Sequence, residues 1–125
     1  METRSLFDRL GGAHGISAIV DDIVAAHAAN PTIRARFLPI LEMPERLAVI
    51  KKHTCAFLTA GSGGPADYQG RSMRDAHRGM NVSEAEYMAA VDDILDVLKK
   101  RAIDEGTQKD VLAIAYSLKG EILHV

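Results

Sequence analysis

A chain of 125 residues with 47% hydrophobic and 26% charged side chains has the make-up of one folded domain, residues 1–125, and not of a disordered polymer. Its 15 basic and 17 acidic residues leave a net charge of −2, which gives no electrostatic case for a nucleic-acid or membrane partner. The single cysteine, Cys55, cannot form an internal disulfide, and no apolar run approaches the ~20 residues of a bilayer span, so a cytoplasmic protein is expected.

The polar start METRSLFDRL does not read as a signal peptide. Helical periodicity then runs through the chain, and alternating strand patterns are scarce. After Gly11 and Gly12, the stretch 16–28 places Ile16, Ile19, Val20, Ile23, Val24 and His27 at spacings of three and four. Asp21 and Asp22 fall off that stripe, which predicts an amphipathic helix. Asn30-Pro31 predicts an N-cap and first-turn proline opening a short helix through Ile33 and Phe37, stopped by Pro39. Pro44 opens the next helix, with Leu47, Ile50, His53 or Thr54, Phe57 and Leu58 on one face. Gly61-Ser62-Gly63-Gly64-Pro65 ends it. Residues 66–72 read as loop, followed by a short helical piece containing Met73, His77 and Met80. Ser83 and Glu86 form a capping-box pattern for a helix presenting Tyr87, Met88, Val91, Ile94, Leu95 and Leu98. Glu105-Gly106 is expected to break the chain before a final helix from about Thr107 through Val111, Ile114, Leu118 and Ile122. The fold class is all-α.

Aromatic residues make up only 5% of the chain, against five histidines. So few large rings leave little with which to fill a core. His53 follows Ile50 by three residues and precedes Phe57 by four, on the apolar face of its helix. Two readings stay open for it: a core histidine bonded to a carbonyl, or a ligand or donor in a cleft. His77 sits between Met73 and Met80, either as core or as an axial haem ligand on a short mount. His27 is accounted for by a helix-dipole interaction or a core hydrogen bond. His14 is expected to be solvated and His124, next to last, to be mobile. Neighbouring carboxylates at Asp21-Asp22 and Asp92-Asp93 point in different directions on a helix, and Cys55 reads as a small hydrophobe. Lys51-Lys52 either decorate a solvated face or meet an acidic group at the mouth of a cleft. No H-E-x-x-H, C-x-x-C or P-loop pattern is present.

In their order, these pieces resemble the truncated haemoglobins, the two-over-two helical globins, and within them group I. LFDRLGG at 6–12 is similar to that family's opening helix and glycine pair. KKHTCAFLTAGSGGPADYQGRSMRDAHRGM at 51–80 carries F-L-T, G-G-P, Y-x-G-x-x-M and the histidine four residues after Met73. The resemblance runs from about residue 4 to about residue 120. It implies a haem-enclosing globin fold, with haem b (iron protoporphyrin IX) bound through His77 as proximal ligand. It puts Phe37 and Phe57 against the haem, Ile50, His53 and Thr54 in the distal pocket, Tyr68 and Met73 around the haem edge, and Tyr87 in the following wall. Lys51 or Lys52 would pair with a propionate.

The sequence departs from the family where many members carry an oxygen-holding tyrosine: Val24 stands there, preceded by Ile23, and Thr54 stands where a glutamine often assists. His53 is left as the main distal polar group. As in some relatives it would bind the iron as an exchangeable sixth ligand, or else steady a bound gas. The implied function is reversible binding or transport of oxygen or another diatomic gas (NO, CO), by a monomer or weak dimer, with room for a reductase partner. Nitric-oxide dioxygenation, bis-histidyl electron transfer or redox sensing, and a cofactor-free helical interaction module are the alternatives.

Overall fold

Four helices begin at a side chain that accepts a hydrogen bond from an otherwise unpaired backbone N–H. These caps are Ser5, Ser72, Ser83 and Asp104, accepting from Asp8, Asp75, Glu86 and Thr107 at 3.0–3.1 Å. In this computed structural model, which describes residues 5–64 and 72–124, the order is α1 (Leu6–Arg9), α2 (Gly12–Ala29), α3 (Arg34–Leu41), α4 (Pro44–Gly61), α5 (Met73–His77), α6 (Glu84–Lys100), α7 (Glu105–Ser117) and α8 (Lys119–Ile122). The all-α expectation holds among the described residues, which add one isolated parallel bridge between Val82 and Leu123.

Gly11, with φ 95°, makes the left-handed turn from α1 into α2 that a residue with a Cβ adopts only under strain. At the end of α4, Gly64 lies so close to the Phe7 ring that a Cβ would collide with it. The two glycine signals in the sequence therefore hold the chain's opening helix against the far end of α4. The capping box is complete: the Ser83 N–H donates back to Glu86 Oε1 at 3.1 Å.

Four boundaries differ from the sequence reading, one of them the expected final helix, which ends at Ser117 and resumes as α8. Asn30 caps an isolated turn, its side-chain oxygen accepting from the Thr32 N–H at 3.0 Å, and α3 starts only at Arg34. Pro39 lies inside α3, which runs on to Leu41 instead of stopping at the proline. Glu105 and Gly106 are helical, since Asp104 caps α7 and an N–H this early in a helix has no partner to lose. The break falls earlier, at Ala102, which takes φ 60° as the Ile103 N–H bonds the Leu98 carbonyl. His124 is held: its N–H bonds the Val82 carbonyl at 3.1 Å and its Nδ1 lies 2.9 Å from Asn81 Oδ1.

Burial concentrates in two separate clusters. The first joins Leu10, Ile16, Ile19, Val20 and Ile23 to Val97 and Leu98, so α1 and α2 sit on the C-terminal half of α6. The second joins Val82, Tyr87 and Val91 to Ile122, at the other end of α6. Ile16, Val20 and Leu98 are under 2% exposed, a burial worth roughly 1.5–3 kcal/mol each. By contrast α3, α4 and α5 contain no fully buried residue.

Candidate functional site

Helix α5 is a five-residue mount ending in His77. The imidazole Nδ1 lies 2.8 Å from the Met73 carbonyl oxygen. A carbonyl only accepts, so Nδ1 carries the proton and donates, and Nε2 holds the lone pair. That tautomer is the one a metal-ligating histidine needs, with its orientation fixed by the bond on the other nitrogen. Behind it, Met73 packs on the second core cluster beside Tyr87. The Tyr87 hydroxyl donates to the Ala115 carbonyl, and burial pushes its pKa up. Tyr87 thus stands as the wall behind α5, tied to α7. Met80 lies beyond the helix, in the turn after it.

Helix α4 packs on α2 and α3, whereas α5 packs on α8. The α4 stripe predicted from sequence is present, with Ile50, Thr54 and Phe57 half-buried and His53 and Lys52 exposed. Eighteen residues of helix with an apolar stripe and no fully buried side chain leave the stripe short of a packing partner. The Thr54 hydroxyl donates to the Ile50 carbonyl at 2.8 Å, within its own helix. Lys51 does not stand ready for a propionate: its Nζ lies 3.0 Å from Asp21 Oδ1 on α2. Lys52 of that pair remains. Cys55 packs on the first cluster, and burial raises its thiol pKa. Tyr68 lies outside the described residues.

Phe37 is half-buried on α3, its ring 5.1 Å from that of His27 at 46°. His27 is buried as its stripe position predicts, and its core hydrogen bond goes to Asp93 Oδ2 at 2.8 Å. The Asn30 amide donates to both Asp93 oxygens, at 3.1 and 3.2 Å. Sequence reasoning set Asp93 aside with Asp92. The signal that distinguishes them is spacing: Asp93 lies four residues before buried Val97, on the inner face, while Asp92 is exposed.

Arg36 was also missed. Its guanidinium holds Glu86 through two nitrogens and donates to the Met80 carbonyl at 2.9 Å, so α3 is stitched to the start of α6 and to the turn after His77. The Arg36 bond and the Ser83 backbone together hold the Glu86 carboxyl down at about 2 from an ordinary 4.5. A carboxyl depressed on folding stabilises above its unfolded pKa, and that contribution fades as the pH falls from about 4.5 towards 2. Glu86→Gln is therefore expected to cost about 1 kcal/mol at pH 7, by urea unfolding, with the deficit closing near pH 2. A deficit independent of pH would contradict this assignment.

Among the described residues no group of three or more His, Cys, Asp and Glu side chains is placed to hold a bare metal ion. One histidine with a fixed lone pair suits a metal that arrives with its own equatorial ligands, which describes haem. The partly covered apolar side chains of α3 and α4 suit the flat apolar body of a porphyrin. The residues present fit the group.

The bacterial-like globin family matches residues 5–124. The chain is a bacterial-like globin. Among known relatives, a group 1 truncated haemoglobin of Chlamydomonas moewusii is 29% identical over 97% of this chain and 69% of its own length. One of Synechocystis is 29% identical over 89% of both chains. The globin's fold is also that of solved two-over-two haemoglobins. The Fe(III) truncated haemoglobin of Tetrahymena pyriformis superposes with a TM-score of 0.84 at 21% identity, covering 98% of this chain and 100% of that one. A 2/2 haemoglobin of Synechococcus, in the cyanomet state with covalently attached haem, gives 0.84 at 23% identity, covering 96% and 98%. Membership in the globin family brings a haem cofactor and haem-based binding of a gas, and both relatives named above are group 1 truncated haemoglobins. No helix among the described residues is long and apolar enough to cross a membrane.

Proposed function

We propose that this globin reversibly binds oxygen or a related diatomic gas at haem b held by His77, with His53 as the distal polar group. The observation that supports it most is the His77 Nδ1–H bond to the Met73 carbonyl, which presents Nε2 as a fixed lone-pair donor. When bound, haem supplies the iron atom at which the gas is coordinated.

The remaining work falls to this chain's own residues. The Met73 carbonyl fixes the tautomer of His77 and stops its ring from turning. Phe37, Ile50 and Phe57 supply apolar surface that excludes water, and exposed Lys52 is the cation for a propionate. Where many relatives place a gas-holding tyrosine, α2 carries Val24. The Thr54 hydroxyl is used on the Ile50 carbonyl. The N–H of His53 is then the donor to a bound gas. The lone thiol of Cys55 supports a reducing, cytoplasmic setting.

A hydrogen bond of that kind in an apolar pocket contributes about 1–2 kcal/mol, so His53→Ala is expected to speed oxygen dissociation by about 5- to 30-fold in stopped-flow measurements. An unchanged rate removes His53 from the site. A low-spin six-coordinate ferric spectrum that disappears in His53→Ala would instead make His53 the exchangeable sixth ligand, lowering apparent gas affinity by the fraction of open state.

A further inference from the structure

The buried pair His27–Asp93 has no role in the function proposed above, although His27 touches Phe37. His27 ends the inner stripe of α2 and is 8% exposed, and the Asp93 side chain is 14% exposed. Asp93 can only accept when ionised, so His27 Nδ1 carries the proton towards it. The Asn30 amide bonds both oxygens of the same carboxylate and fixes its plane. Rotation of an imidazole about its last torsion is ordinarily broad. Here a directional bond to a fixed carboxylate selects one ring plane.

Against that ring lies Phe37, at 5.1 Å and 46°, within the range where aromatic pairs prefer a tilted arrangement. Helix α3 buries no residue fully and is held where Arg36 meets Glu86 and where Phe37 meets His27. An aliphatic side chain at position 27 would cover as much of Phe37 but would impose no plane on it. A buried polar pair adds little net stability over apolar packing of the same volume, so its distinct physical effect here is orientation. We propose that His27, locked by Asp93 and Asn30, is a positioning residue that sets the orientation of the Phe37 ring and, through it, the seating of haem. The seating rests on the globin reading above; the ring orientation does not.

The test uses the purified chain labelled with 3-fluorophenylalanine at Phe7, Phe37 and Phe57, with Phe37→Leu assigning the resonance. In His27→Leu and in Asp93→Asn the Phe37 fluorine signal is expected to shift or broaden, while that of Phe7 holds still. In the haem-loaded protein, His27→Leu is expected to release haem to excess apomyoglobin about tenfold faster and to change the shape of the Soret circular dichroism. The double variant with Phe37→Leu is expected to be no faster than Phe37→Leu alone, because His27 acts through that ring. A Phe37 signal unmoved in both variants, or haem-loss effects that multiply in the double variant, would overturn the proposal. If the wild type takes up no haem, the globin reading fails and the fluorine signals still decide the ring orientation. Asp93→Asn replaces one of the two oxygens that His27 and Asn30 share with an amide that can only donate, which loosens the clamp, and it serves if His27→Leu fails to fold.

Discussion

Replacing His77 with alanine is expected to lower haem affinity by at least about 100-fold, beyond the 10–100-fold typical of losing an outer-shell partner of a metal ligand. The fold is expected to survive. His77 is half-buried, closes the short helix α5, and its ring bond goes to a carbonyl one turn back in the same helix. Far-ultraviolet circular dichroism of the variant should therefore match the wild type while the Soret band on haem titration is lost. His77→Gly leaves room for free imidazole, which is expected to restore the band without restoring the side chain. A His77→Ala protein with wild-type affinity and spectrum would remove this residue as the ligand and leave no histidine on α5 to replace it.

The second large effect concerns stability. Two core clusters sit at opposite ends of α6, and α3, α4 and α5 carry apolar side chains with no fully buried residue among them. Exposures of 47% at Leu38, 38% at Leu41 and 43% at Met43 show how little of this region's apolar surface the protein covers by itself. A flat apolar group bound against those helices would supply the missing burial and link the two clusters. Free haem at about 1,000 times its Kd is expected to add roughly 4 kcal/mol of stability, raising the melting midpoint by more than about 10 °C for a domain of this size. Thermal unfolding without haem and with haem in that excess reads this directly. Equal midpoints would mean that the first cluster already fixes the whole fold.

How far the sequence could be read depended on whether a signal was local. The Ser83–Glu86 capping box and the α2 stripe depend on neighbours within a few positions, and they stand in the structure where the residues put them. Gly106 shows that a breaker's effect depends on its place in the helix, since it lies in the first turn of α7 where its N–H has no intrahelical partner; nothing in the structure explains why α3 runs on through Pro39. The site followed the same division. The bond from His77 to Met73 spans four residues, and the histidine and its partner were both singled out. Lys51 was offered to a propionate because nothing nearby in sequence shows Asp21, which reaches it only when α2 packs on α4. The inner-face position of Asp93 is legible from its spacing to Val97, but its partner, like that of Arg36, is not. Their partners lie 66 and 50 residues away, and only the packing of α2 and α3 on α6 brings them together.

The shortage of large rings that first marked this chain has a physical counterpart in the half-covered helices α3, α4 and α5. The most direct measurement is titration of the purified apoprotein with haemin, followed at the Soret band beside His77→Ala. A band that saturates at one haem per chain in the wild type and fails to form in the variant is the predicted result. A wild-type chain that takes up no haem, or takes it up equally well without His77, would contradict the account.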